Sequence, residues 1–243
     1  MSKNVQSRLF DMYRRKKLGE NPVCRECRKD CKAQGFRIYG PLSFWSVGED
    51  YERDPYRLLI IGKTARKKPD KKKRRAGIWD VQESTDDFWE EPWAFWSYTK
   101  AIFERVYGTP EAGSKKTALT NLMKCNNSGT VDRTTETMKE SCLGRLKVFQ
   151  AEVELLKPKL IVFYTGPSYD TYLENISFGD DSIDHKPEDN FVRNGGKKMR
   201  WWYREFTLKG KPVLRFLRTS HPERQDKDGF VRKVSRWIQQ AAF

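Results

Sequence analysis

Two short apolar runs constrain this chain more than anything else in it. One is Leu58-Leu59-Ile60-Ile61, closed by Gly62; the other is Leu160-Ile161-Val162-Phe163-Tyr164, closed by Gly166-Pro167. Runs of this length without polar alternation suit strands covered on both faces, the pattern of a parallel sheet. Between them lies a helical stripe: Met138, Cys142, Leu146, Phe149, Val153 and Leu156 recur at intervals of three and four, and Pro158 follows as a stop. Strands alternating with helices imply an α/β protein.

The flanking segments extend the alternation. Residues 5–18 place Val5, Leu9, Met12 and Tyr13 on one helical face, and 94–107 read as a helix stopped near Gly108. Residues 117–123 suit a further strand. Strands near 199–207 and 212–217 are joined by the turn Lys209-Gly210-Lys211, and a closing helix spans 228–241. The expected fold is therefore α/β, a three-layer sandwich with a central, mainly parallel sheet flanked by helices. Neither a repeat nor a dividing linker breaks the chain, so residues 1–243 read as one domain. In such sheets ligands bind outside the carboxyl ends of the strands. That singles out the loops after Ile61, around Asn121 to Cys125, and after Leu217.

Charge narrows the partner. The 243 residues hold 48 Lys and Arg against 33 Asp and Glu, a formal +15, which points to a polyanion and most simply to nucleic acid. Residues 66–75, RKKPDKKKRR, alone carry eight cations and one anion. Aromatic residues make up 13%, which argues against disorder. No apolar run approaches the ~20 residues of a membrane helix. The opening MSKNVQSRLFDMYRRKK has no apolar signal core, so an intracellular, cytoplasmic protein is expected. A prokaryotic or viral origin and a monomeric state are separate expectations.

Two motifs carry chemistry of different weight. Gly62-Lys63-Thr64 after a strand has the look of a phosphate-binding P-loop, but the glycine required five positions earlier is Arg57, so nucleotide hydrolysis is not expected. The cysteines are more telling. Cys24, Cys27 and Cys31 crowd one polar stretch read as a loop, and Cys125 and Cys142 lie about a hundred residues on. An odd number of cysteines argues against a disulfide framework, while closely spaced thiols in a reducing compartment are metal ligands. With two histidines in the chain, four thiolates holding zinc or an iron–sulfur cluster are the natural set.

Taken in order, these pieces resemble the iron–sulfur branch of the uracil-DNA glycosylase superfamily. The resemblance rests on Cys24 and Cys27, then Leu58-Leu59-Ile60-Ile61-Gly62, then Thr120-Asn121-Leu122-Met123-Lys124-Cys125. Cys142 follows on a helix, then Lys157-Pro158-Lys159-Leu160-Ile161-Val162, and finally Thr219-Ser220-His221-Pro222. It covers roughly residues 20–240 and implies a uracil-DNA-glycosylase-like fold. It also favours a 4Fe–4S cluster over zinc, on Cys24, Cys27, Cys125 and Cys142, with replacement of Cys27 by Cys31 left open. A base inside a duplex is out of reach, so such an enzyme flips the nucleotide into a pocket. By resemblance His221 donates to the departing base, Asn121 reads its edge beside Gly62, and Trp79 is the nearest equivalent of the ring that stacks on it. The segment after Pro222 is where relatives carry a wedge into the duplex, here Arg224 and Gln225.

The first loop departs from that family. Where relatives carry Gly-Glu-Ala-Pro-Gly, or an Asp or Asn at the third place, this chain reads Gly62-Lys63-Thr64-Ala65-Arg66. Thr64 can hold a water but is too weak an acid to act as its base, so a carboxylate from elsewhere is needed. Asp80, Asp86 and Asp87, which follow the basic run, are the candidates. Lys63, Arg66, Lys71, Lys72, Lys73, Arg74 and Arg75 would then grip DNA phosphates at the mouth of the pocket. The expected activity is monofunctional excision of an atypical base, damaged or modified and of the bulky kind found in some viral DNAs. The setting would be repair or defence against foreign DNA. The alternatives are ordinary uracil excision and a non-catalytic iron–sulfur DNA-binding protein of the same fold.

Overall fold

The computed structural model describes residues 2–38, 40, 46–64, 92–125, 133–178, 182–184, 188–194, 197–208, 211–223 and 225–241. The basic run 66–75, Trp79, Asp80, Asp86, Asp87 and Arg224 lie outside them. In chain order the helices are α1 (Ser2–Arg15), α2 (Pro22–Ala33), α3 (Ala94–Tyr107), α4 (Pro110–Lys116), α5 (Glu136–Lys139), α6 (Val148–Leu156), α7 (Asp170–Leu173) and α8 (Lys227–Gln240). The strands are β1 (Ser46–Val47), β2 (Leu58–Gly62), β3 (Ala118–Asn121), β4 (Leu160–Phe163), β5 (Ser182–Asp184), β6 (Glu188–Asn194), β7 (Lys197–Leu208) and β8 (Lys211–Arg218).

Among the described residues the strands form one sheet in the order β1-β3-β2-β4-β8-β7-β5, with β6 also paired to β7. The inner four, β3-β2-β4-β8, are mutually parallel, as the continuous apolar runs predict. The sheet is nevertheless mixed rather than mainly parallel. Strand β1 joins β3 antiparallel, and β5, β6 and β8 all pair antiparallel with β7. The physical reason for the β7–β8 pairing is connection length: only Lys209 and Gly210, outside the described residues, separate the two strands, too few for a crossover.

Helices cover both faces. Alternate residues of β2 point opposite ways. Leu59 and Ile61 join the apolar cluster with Val5, Leu9 and Met12 of α1 and Phe149, Val153 and Leu156 of α6. Leu58 and Ile60 join Trp96, Ile102 and Phe103 of α3 and Phe230, Val234 and Ile238 of α8. The β2 side chains are 0% exposed, and burial of each contributes about 2 kcal/mol. The fold is thus α/β, with helices on both sides of a mixed sheet. No helix among the described residues is long and apolar enough to cross a membrane.

Two local expectations are corrected. The cysteine stretch is a helix, not a loop. Asn21 accepts the Cys24 N–H at 2.8 Å as N-cap and Pro22 takes the first turn, so α2 carries Cys24, Cys27 and Cys31 on one stripe. The long helix expected over 138–156 is interrupted. A π-helical turn spans Glu140–Arg145 around Cys142, and Lys147, with φ 48°, separates it from α6. The sequence carries the cap signal of the first, but a π turn keeps the same three-and-four apolar spacing over so short a span.

Candidate functional site

All four parallel strands point their carboxyl ends the same way, so Gly62, Asn121, Gly166 and His221 share one edge of the sheet. The outer pair of strands, β3 and β8, lead into Asn121 and His221; the inner pair, β2 and β4, lead into glycines. Three strand spacings separate the outer pair, about 14 Å at ~4.8 Å each. Between them β2 ends on Gly62, and β4 leads through the buried Tyr164 and Thr165 to Gly166.

Gly62 cannot be replaced without disturbance. A Cβ there would collide with Asn121 Oδ1 and come within 3.1 Å of Phe95 Cε2. Gly166 has φ 65° and ψ −169°, a backbone region open to glycine, and its N–H donates to the Thr219 carbonyl at 3.0 Å. That contact ties the exit of β4 to the chain entering His221. Thr219 is held again, its N–H and hydroxyl both donating to the Phe163 carbonyl at 2.9 Å.

Asn121 is 2% exposed, and its Nδ2 has no hydrogen-bond partner among the described residues. An unpaired buried amide costs roughly 1–3 kcal/mol, so its retention fits a group kept for a ligand. Phe95, at the start of α3, lies beside it and packs edge-on against Tyr164, with ring centroids 5.4 Å apart. Among the described residues, Phe95 is an aromatic ring that meets the same point of Gly62 as the Asn121 amide. Trp79, the ring expected from the sequence, lies outside the described residues; the sequence does not single out Phe95, because it is one of several rings in Pro92-Trp93-Ala94-Phe95-Trp96 and nothing local distinguishes it.

His221 is half-buried, and its Nδ1 accepts the Glu223 N–H at 3.2 Å. A neutral ring held this way carries its proton on Nε2, which can donate. Glu223 Oε2 lies 3.9 Å from the same Nδ1. The Gln225 carbonyl accepts from Tyr98 Oη at 2.7 Å, anchoring the segment after Pro222 to α3.

The β2 and β3 exits stay zipped past the strands: Leu122 and Met123 donate to the carbonyls of Gly62 and Lys63, each at 2.9 Å. The Thr64 hydroxyl donates to the Cys125 carbonyl at 3.0 Å. Its proton is committed to the backbone, which leaves its oxygen as an acceptor only. No carboxylate accompanies Lys63 and Thr64 in the described part of this loop.

Behind the edge lie the thiols. Burial pushes Cys142 up to about 12, opposed by the Lys124 backbone N–H and reinforced by Cys24 and Cys27. Burial likewise raises Cys125, with Cys142, Cys24 and Cys27 adding to it and Arg28 opposing. Cys27 is pushed to about 11 by burial, opposed by a hydrogen bond from Ser141 and reinforced by Cys31 and Cys24. Cys125 and Cys142 thus both sense Cys24 and Cys27, while Cys31, fully buried, lies 3.5 Å from Thr135 Oγ1. All five are free thiols, and among the described residues no group of three His, Cys, Asp or Glu is drawn together closely enough to hold a metal ion.

A buried ion pair joins the thiol region to the edge. Lys124 and Glu152 are 2% and 1% exposed and 2.6 Å apart. Lys124 also donates to Thr120 Oγ1 at 2.9 Å and to the Asn121 carbonyl, and Tyr13 donates to Glu152. Comparison of the chain with models of known families and with curated proteins finds no match.

Proposed function

We propose that this protein is a monofunctional DNA glycosylase that flips an atypical base out of DNA and hydrolyses its N-glycosidic bond. The observation that carries the reading is the buried Asn121 amide, whose Nδ2 has no hydrogen-bond partner among the described residues, set against Phe95 and Gly62 on the edge that also bears His221. In this reading Asn121 pairs with the edge of the flipped base and Phe95 stacks on it. Water attacks the sugar C1′ while the C1′–N bond breaks, and the proton that the water sheds passes through solvent to the departing base. The bonding electrons leave with the base, whose developing negative charge is met by His221 Nε2–H. Lys63 and the cations of 66–75 hold the flanking phosphates.

The four thiols Cys24, Cys27, Cys125 and Cys142 have the donor chemistry for a 4Fe–4S cluster, with zinc as the alternative. Bound there, the group would cross-link α2, the β3 exit and the π turn, a structural service that adds no redox step to the hydrolysis. Burial makes Cys27, Cys125 and Cys142 resist ionising alone, and metal binding would draw off their protons.

The test is incubation with duplex oligonucleotides bearing normal, damaged and bulky modified bases, followed by alkaline cleavage. Strand scission at one base, lost in His221→Ala and Asn121→Ala, is the expected result; no abasic product with any base overturns the enzyme. Borohydride trapping that captures Lys63 on DNA would overturn the monofunctional assignment. A specific observation keeps a second reading in play: Thr64 donates its proton to the backbone and brings no carboxylate with it. A non-catalytic DNA-binding protein of this fold would bind DNA equally with or without His221.

A further inference from the structure

Strand β7 is longer than its partner. Trp202 pairs with Arg218, the last residue of β8, while Lys197–Trp201 pair with β6 alone. Because β7 is antiparallel to β8, these five residues run past the carboxyl end of β8. That is the edge bearing Gly62, Asn121 and His221. At ~3.4 Å per residue the β6–β7 ribbon overhangs that edge by about 17 Å.

The base of the ribbon is braced. Arg218, 0% exposed, donates from Nη2 to Asp170 Oδ2 at 2.5 Å and from Nη1 to the Arg200 carbonyl at 2.7 Å. Arg200 in turn donates to Asp170 Oδ2 at 3.1 Å and to Glu174 Oε1 at 2.8 Å. Trp201 packs on Phe230 of α8, centroids 5.3 Å apart, and Trp202 is buried in the cluster on the opposite face. An isolated two-stranded ribbon is marginal in water. Here a buried acid, two arginines and two tryptophans set its direction where it leaves the sheet. At the far end the chain reads Arg193-Asn194-Gly195-Gly196-Lys197-Lys198, three cations with no carboxylate, and Asn194 pairs with Lys197.

We propose that the β6–β7 hairpin is a second DNA-contacting element, a ribbon laid into the major groove beside the flipped nucleotide. The major groove admits a two-stranded β-ribbon, and a cationic tip meets the phosphates that line it. The inference rests on the DNA reading above and adds an element the basic run does not supply: a paired ribbon, braced at its base, that runs past the edge of the site.

The experiment is duplex binding as a function of salt, for the wild type and for Arg193→Gln, Lys197→Gln, Lys198→Gln combined. The variant is expected to bind roughly tenfold more weakly, with the slope of log K against log salt reduced by about two to three, at ~0.9 per lost phosphate contact. Hydrogen exchange on the wild type gives a readout independent of how the variant folds, with amides of 190–200 slowing when duplex is added. If the wild type fails to bind duplex, the DNA reading itself falls. If it binds, but the variant keeps its slope or those amides exchange unchanged, only the hairpin assignment is overturned.

Discussion

Glu152→Leu tests the buried network that holds Asn121 in place. Glu152 is 1% exposed and lies 2.6 Å from an ammonium that is itself 2% exposed, so removing the carboxylate leaves Lys124 charged and without its counter-ion. Thr120 Oγ1 and the Asn121 carbonyl remain as acceptors for Lys124, and Tyr13 loses the acceptor of its hydroxyl. Breaking one side of such a pair costs about 3–5 kcal/mol. For a chain of this size that lowers Tm by about 6–20 °C, at ~2–4 °C per kcal/mol. Thermal and urea unfolding of the single variants and of Lys124→Met/Glu152→Leu complete a double-mutant cycle. The double variant should recover most of the loss, because two apolar side chains of similar length replace the pair with no orphaned charge. A Glu152→Leu cost below about 1 kcal/mol, or a double variant no better than the singles, would refute the reasoning that this pair is desolvated and mutually dependent.

Other perturbations probe the site and its surroundings. Gly62→Ala drives a Cβ into Asn121 Oδ1, so excision in the abasic-site assay should fall at least about tenfold, with a stability loss of about 1–3 kcal/mol by unfolding. Cys31→Ser should retain metal, while Ser at Cys24, Cys27, Cys125 or Cys142 should lose it, as read by iron and zinc content and by absorbance near about 400 nm. Asp54 carries the pH test. Burial raises its carboxyl above the ordinary value, against hydrogen bonds from the backbone N–H groups of Tyr56 and Arg57 and from Tyr107. The folded state therefore takes up a proton more readily than the unfolded one. Its contribution is fully present below the ordinary carboxylate pKa of ~3.9 and is lost as pH rises through the raised value. The stability of the wild type relative to Asp54→Asn should thus improve as pH is lowered from 7 toward about 4 in urea unfolding. An unchanged difference would show that Asp54 titrates normally.

Much of this architecture was legible locally. The unbroken apolar runs of β2 and β4 announce strands buried on both faces, since a half-exposed strand would alternate. The parallel inner sheet follows from them, and so does the placing of Asn121 and His221 at the carboxyl ends of strands. The helical state of the Cys24 stretch was also written in the chain, in the Asn21-Pro22 start, but there the density of charge suggested a loop. The mixed character of the sheet was harder to see, because β1, β5 and β6 are short or lie at the edge and carry no apolar run.

What the sequence by itself determined is the set of contacts a short window dictates: which segments are buried, where helices begin, and the order in which thiols, amide and imidazole follow one another. Only the tertiary structure decided which groups meet. Phe95 stands beside Gly62 and Asn121 because α3 packs across the exit of β2, a contact between residues more than thirty apart. Lys124 finds Glu152 through the packing of α6 on β3, and Arg218 finds Asp170 at the foot of the β6–β7 ribbon. Periodicity reports the face a residue turns to; it holds no information on what another element brings to that face.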